Sequence, residues 1–194
     1  MTKRLAVALA VLLAAAACFA QSAEPDPAAV QEAWLKAGTP GPFQAFLADK
    51  TGTWTVAGKS WSAPGAEPEL SESTTTAEMI LGGRVLSETM RGTNMGMPFE
   101  GMGLTAYDNA TGTVTSTWSD NMSTGIMVLT GAWAKPGDPL VLTGTMHDPF
   151  SGADMPVRTV TTFISHDEQL FEFFVAGEGM GEMKMMELRY TRQP

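Results

Sequence analysis

Methionine is the residue whose abundance and spacing could do chemistry in this chain. There are fourteen, thirteen of them besides the initiator Met1. Thioethers are soft ligands that select Cu(I). Met95-Gly96-Met97 and Met183-Lys184-Met185 have a Met-x-Met spacing, and His147 could add an imidazole. Met95, Met97 and His147 therefore make up a copper(I)-handling alternative. Against it stands the ordinary use of methionine as a flexible filler of cores and adaptable apolar pockets. In a strand, Met-x-Met falls on one face simply because the side-chain period is two. The two histidines, His147 and His166, are too few for a zinc site of three or four ligands.

Nucleophilic catalysis has no spacing to support it. The chain contains no Gly-x-Ser-x-Gly, and its many Ser and Thr residues suit a pleated surface. Carboxylates are plentiful, but nothing in their spacing selects a pair. An enzyme of unassigned chemistry is thus an alternative without named residues, and no cofactor is expected.

The elements that must position any site follow from residue alternation. Pro27 to Ala37 reads as a short helix, with Pro27 at its first turn and Gly38 at its end. A second short helix is predicted from about Pro42 to Ala48, burying Phe43, Phe46 and Leu47. In the first helix Val30, Trp34 and Leu35 share a side suited to packing on a sheet or plugging a barrel end. From Thr51 onward the period is near two. About ten strands are predicted, over 52–61, 72–81, 84–93, 99–108, 113–119, 124–133, 139–147, 156–165, 169–177 and 182–192. Turn residues separate them at Gly82-Gly83, Asn109 to Gly112, Pro136-Gly137-Asp138, Ser151-Gly152 and Gly177 to Gly181. Consecutive hairpins without a long crossover give an up-and-down order, and closing the sheet removes two exposed edges. The expected fold is all-β: a single antiparallel barrel of about ten strands, with one or two short N-terminal helices.

Residues 1–20 read as a secretory signal. Lys3 and Arg4 precede the apolar run Leu5 to Ala17, and Cys18-Phe19-Ala20 allows cleavage before Gln21. Alternatively, Ala15-Ala16-Ala17-Cys18 is a degenerate lipobox with Cys18 lipidated. The chain has no other cysteine, so no disulfide supports the fold. The predicted organisation is a signal over 1–20, a leader with short helices over 21–50, and a barrel over 51–194. Without the signal, ten basic residues face twenty-one acidic ones. Such an acidic surface disfavours nucleic acid and anionic membrane as partners. The chain is expected in the periplasm or outside the cell.

Several short patterns lie together in this sheet. Glu78 precedes Gly82-Gly83-Arg84, and then come Pro98-Phe99-Glu100-Gly101, Tyr107-Asp108, and Trp118-Ser119-Asp120 with Ser123-Thr124. Lys184-Met185-Met186-Glu187 and Arg189-Tyr190 close the chain. In these residues the chain resembles an uncharacterised bacterial family classed as a domain of unknown function, over roughly residues 42–192. The resemblance implies a lipocalin-like β-barrel and no particular reaction.

Within such a barrel, Tyr107 and Trp118 are the candidate ligand-binding walls, each a large apolar body with one donor. Glu78, Arg84 and Asp120 are the candidate interior polar groups. Charges such as Glu78, Arg84, Glu172, Glu187 and Arg189 either pair inside the barrel or face solvent, because a one-residue shift of register exchanges the faces. The leading expectation is non-enzymatic binding of a small apolar or amphipathic molecule inside the barrel. A filled barrel serving as an interaction module is a further alternative.

Overall fold

A computed structural model describes residues 26–94, 96–177 and 180–194. The expected signal and Cys18 lie outside the described residues, as does Met95. Helix α1 spans Pro27–Gly38 and helix α2 spans Pro42–Ala48. Ten strands follow: β1 Gly52–Ser60, β2 Glu69–Ile80, β3 Val85–Asn94, β4 Met97–Asp108, β5 Thr113–Asp120, β6 Met127–Ala132, β7 Leu140–His147, β8 Asp154–Phe163, β9 Glu168–Gly177 and β10 Met180–Arg192. Every neighbouring pair is antiparallel, and β1 pairs with both β2 and β10, so the sheet closes on itself. The expected all-β, up-and-down barrel of about ten strands is what the chain forms.

Of the described residues, 26–36 fall in one unit and Ala37–Pro194 in another. Taken by itself, α1 buries none of its residues. It is α2, within the second unit, that packs on the barrel. Pro42 starts it, where a missing N–H does no harm. The Gly41 N–H donates to Gln44 Oε1 at 2.7 Å, and Gln44 Nε2 donates to the Tyr107 carbonyl at 2.9 Å. One buried amide thus caps the helix and ties it to the end of β4.

Apolar residues on this helix close one end of the barrel. Phe43 stacks on Tyr107 at 3.7 Å between ring centres. Phe46 meets Trp133 at 5.4 Å and Phe163 at 4.9 Å, both edge-on. Below them Leu47, Leu86, Val114, Leu129, Leu140, Leu142 and Val157 are buried in one cluster. Each such side chain contributes roughly 1.5–3 kcal/mol by leaving water. The turns at 81–84, 109–112, 133–139 and 164–167 lie at this plugged end.

The two-residue period assigns the inner face strand by strand. Trp54 and Val56 on β1, Thr75 and Ala77 on β2, Leu86 and Met90 on β3, and Val157 and Thr159 on β8 are buried. Their in-phase neighbours therefore point inward too. In β10 the phase changes, because the register shifts between Lys184 and Met186. This bulge puts Met183, opposite Val175, on the same inner face as Met186, Leu188 and Tyr190.

Candidate functional site

Away from the plug several inward residues are half-buried, although Gly58, Met90, Gly101 and Gly103 stay buried. Ser116 and Trp118 on β5, Met127 on β6, Met146 on β7 and Met155 on β8 all keep accessible surface. So do Phe171, Phe173 and Val175 on β9, and Met183, Met186 and Leu188 on β10. Barrels of about eight strands are just wide enough for side chains to fill them, and the diameter grows with strand number. Ten strands packed solid at one end carry, farther along the same inner face, thioethers and aromatic rings that keep part of their surface accessible. Met146 and Met155 face each other in register across β7 and β8, and Met127 faces Trp118 across β5 and β6.

Trp118 lies flat against β4. A Cβ placed on Gly101 would come 2.3 Å from Trp118 Cζ2, and one on Gly103 would come 3.2 Å from Cε3. The two glycines leave the space that the indole occupies. Its Nε1 donates to Asp120 Oδ2 at 3.0 Å, while Asp120 Oδ1 accepts from the Met122 N–H at 3.0 Å. Asp120 thereby fixes the ring and turns the chain at the end of β5. Replacing Gly101 by Ala must push the indole into the lumen; the expected outcome is a clear shift in tryptophan emission and at least tenfold weaker binding of any lumen probe. Unchanged emission and affinity would show that the ring does not need this glycine.

Glu88 and Tyr190 stand on the inner face with no side-chain hydrogen bond to another described residue. Glu88 lies between the inward Leu86 and Met90 on β3, and burial alone raises its carboxyl from 4.5 to about 7. Tyr190 lies on β10 opposite the inward Val56 and Gln169. Its phenol is pushed up by burial and, less strongly, by the charge of Glu88. Both keep some accessible surface although the barrel wall encloses them. That surface faces the lumen rather than bulk solvent, which accounts for the large desolvation effect. Thr75 Oγ1 on β2 is a third inward polar atom, buried without a partner.

The structure divides the sequence-derived site residues. Trp118 and Asp120 are together on the inner wall of the open half. Tyr107 also points inward, but its ring is stacked on Phe43 and belongs to the plug. Glu78 and Arg84 are exposed, so their placement as interior groups is corrected. Glu78 falls on the outer phase of β2. Arg84 folds over a turn, donating to the carbonyls of Gly38, Leu81 and Gly82. Glu172, Glu187 and Arg189 are on the outer face as well. There Lys184 Nζ bridges Glu172 at 3.1 Å and Glu187 at 2.6 Å.

Of the copper alternative, Met97 is exposed at the start of β4. His147 is exposed on the outer phase of β7, its Nδ1 3.0 Å from Asp154 Oδ1. Among the described residues no three of His, Cys, Asp and Glu group as metal ligands. Glu88 and Tyr190 were missed in the sequence. The signal for Glu88 is an acid in phase with Leu86 and Met90, three residues whose odd-numbered neighbours Ser87 and Thr89 are polar.

A family described as protein of unknown function, DUF1579, matches residues 39–192. The chain belongs to that family. The matched span takes in α2 and all ten strands, and so the plug, the lumen, Glu88, Trp118 and Tyr190. No curated protein matches the chain. The crystal structure of Rv2717c from M. tuberculosis is similar at a TM-score of 0.59 with 16% identity, covering 80% of this chain and 100% of that one. A redesigned β-barrel is similar at a TM-score of 0.42 with 15% identity, over 78% of this chain and 96% of that one. At such identities the Rv2717c likeness bears on the fold alone.

Proposed function

We propose that this protein binds a small apolar or amphipathic molecule non-enzymatically in the open half of its barrel. The observation that carries this reading is the division of one continuous inner wall. It is packed solid beneath α2 and partly half-buried farther along, with Glu88 and Tyr190 unpartnered on the same face among the described residues. Sites of this kind are mostly apolar with a few convergent polar groups, and methionine walls adapt to the shape of the guest. The pattern of residues 1–20 supports a place for this binding outside the cytoplasm, after export.

Native mass spectrometry of protein isolated from its own host tests both parts. The expected spectrum has a non-covalent small-molecule adduct on a chain that begins at Gln21. A bare protein that also fails to take up an environment-sensitive apolar dye would overturn the binding reading. An intact Met1 would overturn export.

A catalytic alternative draws on the same Glu88, since a carboxyl near neutrality can exchange protons. It lacks an activated nucleophile: none of the inward hydroxyls Ser73, Thr75 and Ser116 is hydrogen-bonded to an acid or base among the described residues. Thr75 has no partner, and Ser116 pairs only with Thr105.

A further inference from the structure

The sign of the charge inside the barrel limits which head group the lumen can take. Among the described residues, the titratable side chains on the inner face of the strands are few. Glu88 on β3 and Tyr190 on β10 stand in the enclosed part. Asp120 on β5 is nearer the mouth and holds Trp118. Glu69 is exposed where β2 begins. At the plugged end, the Tyr107 ring is stacked on Phe43, and Arg192 donates to the carbonyls of Asp49, Thr51 and His166. Lys50, below α2, is paired with Asp49 at 3.1 Å and lies over the Phe46 ring. Every described cation near this space is therefore committed to the plug. The inward faces that flank Glu88 carry only Ser73, Thr75 and Ala77 on β2 and Gly101, Gly103 and Thr105 on β4.

An enclosed acid with no partner and no nearby cation has a direct physical consequence. A carboxylate head placed beside Glu88 would meet like charge in a medium of low dielectric. A protonated amine would meet the one enclosed counter-charge that lacks a partner among the described residues, with the Tyr190 phenol and Thr75 hydroxyl as further polar contacts. We propose that the lumen takes an apolar molecule bearing a protonated amine, seated on Glu88 with its body along Met127, Met146, Met155 and Phe173, and that it rejects carboxylate-headed molecules of the same length. This rests on the binding reading above and names the class of ligand for it.

The pH dependence has a definite sign. An alkylamine stays protonated well above neutrality, so the group that titrates is Glu88. With its carboxyl at about 7 in the empty barrel, amine binding below that pH must first drive off a proton. Affinity then falls by up to about tenfold for each pH unit below 7 and levels off above it.

Calorimetric titration of the delipidated full chain with decylamine, decanol and decanoate tests the proposal. At about pH 8 the amine is expected to bind on the order of tenfold more tightly than the alcohol, and the carboxylate more weakly than either. At about pH 6 the amine loses about tenfold and the alcohol does not change. Glu88→Gln removes the amine's advantage and leaves the alcohol's affinity within about threefold, while Glu78→Gln on the outer face changes nothing. Decanoate binding as tightly as decylamine, or an amine preference that survives Glu88→Gln, would overturn the proposal and leave the binding reading standing. If none of the three binds at either pH, the binding reading falls with it. Should Glu88→Gln not fold, the divergence of amine and alcohol with pH in the unaltered chain decides the matter.

Discussion

Glu88→Gln should make the empty barrel more stable at about pH 8, and progressively less so as the pH is lowered, until near pH 4 the two proteins unfold together. The carboxyl of Glu88 titrates near 7 in the folded chain against 4.5 for an ordinary glutamate, and burial is the cause. A raised acid favours folding where both states hold the proton, below about 4.5. That contribution is lost as pH rises through 7, because the folded barrel must then either keep a proton the solvent would take or hold a bare charge. The interval between the two values corresponds to about 3 kcal/mol, at 1.36 kcal/mol per pH unit. For a domain of this size that is on the order of ten degrees in unfolding temperature. Glutamine keeps the shape and carries no charge at any pH, so it escapes the penalty. The measurement is thermal unfolding of delipidated protein across the pH range, with Glu78→Gln as the exposed control. A stability difference that does not vary with pH would mean that Glu88 is solvated and that the barrel interior is not a medium of low dielectric.

The same experiment bears on function. A residue that lowers stability at neutral pH while making no hydrogen bond or ion pair with another described residue is the kind of side chain retained for a guest. Adding a bound cation should recover much of what glutamine recovers, because either change removes the unpaired charge.

The second large effect is expected at the other end of the barrel. Trp133 is 3% exposed, lies 5.3 Å from Phe43, 5.4 Å from Phe46 and 5.8 Å from Phe163, and donates from Nε1 to the Asp138 carbonyl at 3.0 Å. Trp133→Ala removes the ring against which both phenylalanines of α2 rest. It leaves a cavity where neighbours from a closed sheet cannot collapse, and should cost about 3–5 kcal/mol. Hydrogen exchange should quicken most in residues 42–50, since the helix loses its main apolar support while keeping the Gln44 hydrogen bonds. Trp133→Phe, which keeps a ring but not the donor, should cost about 1–2 kcal/mol. A loss below about 1 kcal/mol for Trp133→Ala would mean that α2 only covers the barrel without sealing it.

Much of this architecture is written into local sequence. All ten strands lie within a few residues of where alternation and turn residues place them. The largest differences are at β2, which begins at Glu69 rather than near residue 72, and at β6, which begins at Met127 rather than near 124. Pro42 and the apolar Phe43, Phe46 and Leu47 announced a short buried helix, and one is there. The two faces of β9 are likewise legible as groups, Phe171, Phe173 and Val175 on one and Glu172 and Phe174 on the other, and pairing with β8 turns the first group inward. Trp118 and Asp120, two residues apart, share a face as the strand period requires.

Local sequence alone determined the class of fold, the order of the strands and the helix beside them, because side-chain period and turn chemistry act over a few residues. Which of the two faces turns inward is a different kind of fact. A strand has the same alternation whichever way it faces, so Glu78 and Glu88, both acids within strands, could exchange roles until closure of the sheet put Ala77 and Leu86 in the core. In β10 a single bulge moved Met183 onto the lumen wall, and no count by twos along the chain could cross it. The depth at which α2 stops filling the barrel depends on the barrel's width, which is set by all ten strands together. Only that tertiary closure decided that one carboxyl would be enclosed without a partner among the described residues.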